Sequence, residues 1–279
     1  MGEAIVVGIT DAAVARRAVD WAAQRARERR QPLELVTVVG GAVGAVGEDS
    51  VLAAALEEAR ERVEHEASRI AADGLVVRTR VERGNPVAKL VDASADAALL
   101  VIGSDYPGQG SRAARGAHGL RIAAGAHCPV VVVPDADAAG RSGVVVGVDG
   151  SPVSEKAVAF AAAEADRLGE PLIAVAVWTP LEAPRNMGSY PAEYLENMEK
   201  LTAEALALSL AGLRSRYPDL EIVRKVERGY PSQIINGLAG SARLTVVGSH
   251  GRGALARFLL GSISQEVLGR LATVTAVVR

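Results

Sequence analysis

Aromatic side chains make up only 3% of this 279-residue chain, so its interior must be filled largely by aliphatic residues within a hydrophobic total of 49%. That length and composition suffice for about two domains with aliphatic cores. A single cysteine, Cys128, excludes an intrachain disulfide, and between His127 and Pro129-Val130-Val131 it reads as a small side chain at a strand entrance. Charge of neither sign prevails: 31 Lys and Arg oppose 33 Asp and Glu, for a formal net charge of -2. No global field therefore draws the chain to nucleic acid or to an anionic membrane. No uncharged apolar run reaches the roughly 18 residues of a spanning helix. The chain enters a strand at Ala4-Ile5-Val6-Val7-Gly8 without a basic and apolar leader, so a cytoplasmic location is expected. No lysine directly follows a glycine, which removes the Walker A pattern. The four histidines and one cysteine fall in no pair at ligand spacing, so no protein metal site is expected. The basic run Arg25 to Arg30 contains Glu28 and reads as a solvated helix face.

What is present is a repeat. Val6-Val7-Gly8 aligns with Val145-Val146-Gly147, Ala22-Ala23 with Ala161-Ala162, and Pro32-Leu33 with Pro171-Leu172. A second block carries Gly84-x-Pro86 onto Gly229-x-Pro231 and Val101-Ile102-Gly103-Ser104 onto Val246-Val247-Gly248-Ser249. The second copy is longer in its middle, where Trp178 to Tyr194 reads as a loop. Its pattern predicts strands at Val144–Val148, Leu172–Val177, Glu221–Val226, Leu244–Val247 and Thr275–Val278. Helices are predicted from Ser154 to Leu168, Glu193 to Arg216 and Ser232 to Ser241, with a last one from Ser264. Alanines at Ala157, Ala161 and Ala165 recur at helical spacing and would let helix and sheet approach closely. Alternating strands and helices imply a parallel sheet covered on both faces. A polar, small-residue linker at Asp135–Ser142 divides the chain into domains 1–135 and 142–279.

After the apolar run Leu244–Val247 comes Gly248-Ser249-His250-Gly251-Arg252-Gly253, then seven residues and Gly261-Ser262. Strand, glycine loop and helix N-terminus form an anion-binding arrangement. Each glycine would permit a positive φ or close approach of a ligand, and Ser262 would offer a hydroxyl as well as an N–H. As spacing alone, the same glycines also suit a long flexible loop.

Gly248-x2-Gly251-x9-Gly261-Ser262, with Val146-Gly147-Val148-Asp149-Gly150-Ser151 at the end of the first strand, resembles the universal stress protein family over the whole chain as a tandem pair. The resemblance implies two Rossmann-like α/β domains of the adenine-nucleotide α-hydrolase type, each a five-stranded parallel sheet in order 3-2-1-4-5. It also implies ATP as the ligand, Mg²⁺ arriving with the nucleotide, a homodimer and an unidentified protein partner. Carried over by position, Asp149 would bond the ribose hydroxyls, Gly150 and Ser151 would open the next loop, and the main chain of Val177 would meet the adenine. Val247 and Gly248 would line the opposite side. Gly251, Gly261 and Ser262 would hold phosphates, Ile263 and Ser264 would begin the helix aimed at them, and Arg252 would add a charge-assisted contact. Asp149-Gly150-Ser151-Pro152 is equally a turn and helix-cap sequence, and His250 reads as loop packing or as a general base.

The first copy departs from the pattern. Thr10 stands where Asp149 does, with Asp11 next to it, Tyr106 stands where Gly251 does, and Ala117 stands where Ser262 does. One nucleotide per chain, in the second half, is therefore expected. The leading reading is a nucleotide-binding stress regulator acting through shape, in which the loop 248–262 and a mobile segment 178–194 respond to occupancy. The alternatives are a slow ATPase or phosphotransferase and an idle scaffold; no catalytic residue is assigned.

Overall fold

Valine-rich runs alternate with alanine-rich amphipathic segments, and in the computed structural model the runs become strands and the segments helices. The structure describes residues 4–40, 48–71, 74–104, 117–136, 139–180, 190–251 and 260–279. The chain divides into two compact units, Met1–Ala136 and Asp137–Arg279. In the first, β1 (Ile5–Ile9), α1 (Ala13–Arg29), β2 (Leu33–Val39), α2 (Glu48–Ile70), β3 (Val77–Arg83), α3 (Pro86–Ala93), β4 (Leu99–Gly103), α4 (Ala117–Gly125) and β5 (Val130–Val133) follow in order. In the second come β6 (Val144–Val148), α5 (Pro152–Leu168), β7 (Leu172–Trp178), α6 (Ala192–Ser209), α7 (Leu213–Arg216), β8 (Ile222–Arg228), α8 (Pro231–Ala239), β9 (Leu244–Gly248), α9 (Ser262–Arg270) and β10 (Val274–Val278).

Strand order is β3-β2-β1-β4-β5 in the first unit and β8-β7-β6-β9-β10 in the second, each the 3-2-1-4-5 order. The pairings within each unit are parallel. In the second unit α5 packs on β6 and β9, α6 on β7 and β8, and α8 on β6, β7 and α9. Ala157, Ala161 and Ala165 of α5 are fully buried, so small side chains do bring helix and sheet together. Two glycines show that both faces are covered. A Cβ at Gly248 would lie 3.0 Å from Val153 of α5, and one at Gly147 would lie 2.8 Å from Ile235 of α8. The repeat extends to this packing, because a Cβ at Gly103 would lie 3.0 Å from Val14 of α1.

Four expectations need correction. The helix over 193–216 is broken after Ser209, and Gly212 at φ +80° starts the separate α7. The last helix begins at Ser262 rather than Ser264. The loop over 178–194 is shorter at both ends, since Trp178 closes β7 and α6 opens at Ala192; residues 181–189 lie outside those described. Arg25 is no solvated residue: it is 7% exposed, and its Nη1 donates to Gln31 Oε1 at 2.9 Å.

The two unit-opening helices end differently. Gly169 ends α5 at φ +62°, whereas Arg30 ends α1 at φ +54°. A side-chain-bearing residue pays about 1 kcal/mol for that left-handed conformation, which glycine adopts freely. Arg30→Gly is expected to stabilise the first unit by about 0.5–1 kcal/mol and to raise its melting midpoint by about 3 °C, measured by calorimetry. An unchanged or lower midpoint would refute that account.

Cys128 is buried at 4% exposure, and loss of water around it pushes its thiol pKa up to about 12. The native chain at pH 8 is therefore expected to leave a thiol-specific reagent unreacted, with one equivalent released on denaturation.

Candidate functional site at the carboxyl edge of the second sheet

The strand order reverses between β6 and β9, leaving a crevice beyond their carboxyl ends. Here Asp149 follows β6 directly. Its Oδ1 accepts from the Ser151 N–H at 2.9 Å, and its own N–H donates to Ser154 Oγ at 3.1 Å. Gly150 takes φ +74° in this turn. Ser151 is the N-cap of α5, its Oγ accepting from the Ser154 N–H at 3.1 Å, with Pro152 opening the helix. Turn and cap are thus both present, and they use only one of the two Asp149 carboxylate oxygens. The other, Oδ2, faces Gly251, where an added Cβ would lie 2.5 Å from it.

The two ends of the glycine loop meet. The Gly261 N–H donates to the Ser249 carbonyl at 2.7 Å, and the Ser249 N–H donates to the Val278 carbonyl at 2.7 Å. Ser264 Oγ donates to the Gly248 carbonyl at 2.5 Å, and Gln265 Nε2 donates to the Leu260 carbonyl at 2.8 Å. Gly261 is the N-cap of α9, so the N–H groups of Ser262, Ile263 and Ser264 are the first-turn amides that have no acceptor within the helix. They carry the positive end of its dipole. None of Gly248, Gly251 and Gly261 has a positive φ. Close approach, not left-handed backbone, is what these positions require: a Cβ at Gly261 would lie 3.2 Å from His250 Cα.

Around this junction lies a cavity of about 480 Å³. Asp149, Val177, Val247, Gly248, Gly251, Gly261, Ser262, Ile263 and Ser264 all line it. Gly150 and Ser151 sit in the turn and cap rather than on its wall. Ser264 lines it, but its hydroxyl is spent on Gly248. Arg252 and Tyr106 fall outside the described residues. Sequence reasoning missed Pro231 and Ile235 of α8 and Val175 of β7, which complete an apolar wall. Their only sequence signal was Pro231 in the repeated Gly-x-Pro block. His250 also lines the cavity, its Nδ1 2.9 Å from Ser249 Oγ. Among the described residues no group of three His, Cys, Asp or Glu is placed to hold a metal ion, and no helix is long and apolar enough to cross a membrane.

In the first unit Thr10 Oγ1 accepts from the Ala12 N–H at 3.3 Å, reproducing the turn bond of Asp149 Oδ1. A threonine has no second oxygen to offer the crevice.

The model of the universal stress protein family matches residues 1–134 and 141–279. A universal stress protein of Mycolicibacterium smegmatis is 35% identical over 99% of this chain and 96% of its own length. A universal stress protein from Archaeoglobus fulgidus has the same fold, with a TM-score of 0.74 and 17% identity over 100% of this chain and 99% of that one. Another from Archaeoglobus fulgidus, solved in complex with dAMP, is 25% identical over 46% of this chain and 94% of its own, with a TM-score of 0.36.

Proposed function

The chain belongs to the universal stress protein family, and from that premise we propose that its second half binds one adenine nucleotide, ATP, as a regulatory ligand. The observation that carries this reading is that one cavity joins an apolar slot, a carboxylate oxygen left over from its turn, and the amides of a helix start. Its volume falls in the range of about 300–1,000 Å³ usual for small-molecule sites. In this reading Val175, Val247 and Ile235 enclose the flat base while the main chain of Val177 meets its polar edge. Asp149 Oδ2 accepts from the ribose hydroxyls, as an ionised acceptor beside a sugar edge does. The amides of Ser262, Ile263 and Ser264, with the exposed Ser262 hydroxyl, face the phosphates. Arg252 adds charge, and Mg²⁺ enters with the nucleotide.

Occupancy acts through shape: ATP favours one arrangement of the glycine loop, and a partner protein or second copy of the chain reads it by favouring the same arrangement. Slow hydrolysis would rest on His250, whose Nδ1 is engaged with Ser249. Titration calorimetry of the whole chain with ATP is expected to give a stoichiometry near one. Two equivalent sites would overturn the assignment to the second half, and no binding would overturn the function.

A further inference from the structure

Two neighbouring helices supply parts of the cavity: α8 through Pro231 and Ile235, α9 through its first turn. They begin with different support. In the first unit α3 is capped by Asn85, whose Oδ1 accepts from the Val87 N–H at 2.9 Å and the Ala88 N–H at 3.2 Å. At the matching position of α8 stands Tyr230, which makes no capping bond. Instead the start of α8 is tied sideways to α9. Ser232 Oγ, in a residue only 1% exposed, donates to Glu266 Oε2 at 2.5 Å, and the Tyr230 hydroxyl donates to Glu266 Oε1 at 3.3 Å. One carboxylate thus receives a hydroxyl on each oxygen, and bonds of this charge-assisted kind are stronger than neutral ones. The first half carries Asn85, Val87 and Arg121 at the three positions, which contain neither the hydroxyls nor the carboxylate.

We infer that Glu266 is a positioning residue for the cavity, clamping α8 to α9 so that the apolar wall and the amide-lined end keep a fixed separation. The consequence for ligand rests on the nucleotide reading above; the clamp itself does not. A ligand whose base lies against α8 and whose phosphates lie at α9 gains affinity when the two walls are held in register beforehand. A ligand touching only α9 gains nothing from it.

The test compares Glu266→Ala and Glu266→Gln with the parent chain. Titrations use ATP and, separately, tripolyphosphate, and hydrogen exchange is followed over residues 231–239 without ligand. Glu266→Ala is expected to weaken ATP about tenfold, to leave tripolyphosphate within twofold, and to speed exchange at the start of α8. Glu266→Gln, whose amide oxygen still accepts from Ser232, is expected to recover most of the ATP affinity. Unchanged ATP affinity in Glu266→Ala would overturn the proposal, as would an equal loss for both ligands, which marks general loosening. If the parent chain binds no ATP, the nucleotide reading fails and exchange alone decides the clamp: faster exchange in Glu266→Ala upholds it, and unchanged exchange overturns it.

Discussion

Glutamate in place of Gly261 is expected to weaken ATP binding at least about 100-fold, or roughly 2.7 kcal/mol, as read by calorimetry. Two effects act together. The new Cβ would lie 3.2 Å from His250 Cα, a tight contact with a backbone atom that cannot turn aside as a side-chain end can. The carboxylate would then occupy the space before the first-turn amides of α9, where its charge opposes a phosphate. Gly261→Ala separates the two, because it keeps the steric contact and omits the charge. The alanine variant is expected to lose less affinity, and the gap between the variants should narrow as salt rises. Equal affinity in parent and glutamate variant would place the phosphates elsewhere.

Much of the fold was readable because a parallel sheet buried on both faces writes continuous apolar runs into the sequence. Val144–Val148 has the same limits in sequence and structure for that reason. The repeat did the rest, since two copies punctuated alike constrain each other. The break between Ser209 and Leu213 was not readable: apolar spacing continues through it, and only the backbone at Gly212 shows that the helix has stopped. Arg25 misled for a related reason. A run of arginines looks solvated, but the α1 face on which Arg25 lies is set by helical phase, and its Nη1 donates to Gln31 there.

At the site, residues that do backbone work were more legible than residues that supply wall. Gly248, Gly251, Gly261 and Asp149 announce themselves by type, and the structure brings these four to one cavity. Ile235 does not, because a leucine-like side chain on a helix reads as core whether or not a ligand touches it. The Ser264 hydroxyl closes on the Gly248 carbonyl of its own loop, a bond that ties the helix start to the end of β9 and that sequence spacing does not announce. Glu266 lies 34 residues from Ser232, and no local pattern links a carboxylate to a hydroxyl at that distance.

Arg167→Ala is expected to destabilise the second unit by about 3 kcal/mol, for a reason equally hidden in the sequence. Glu164 lies on α5 among the alanines that face the sheet and is fully buried. Its Oε2 accepts from Arg167 Nε at 2.9 Å and Nη2 at 2.8 Å, and the Arg167 side chain is 8% exposed. Forming such a pair gains little, because desolvating both charges offsets their attraction, but removing the arginine takes a directly bonded counter-charge from a fully buried carboxylate. The asymmetry gives the prediction its form. The double variant Glu164→Leu with Arg167→Met, which removes both charges and keeps apolar volume, should unfold at lower denaturant than the parent by much less than Arg167→Ala does. Since α5 begins at the Ser151 cap and the Asp149 turn, loosening it should also weaken ATP binding, with Asp149 itself unchanged. Chemical denaturation of the three chains, with calorimetry on the same samples, measures both. If Arg167→Ala proves no worse than the double variant, the pair is not the buried charge couple that its distances and burial describe.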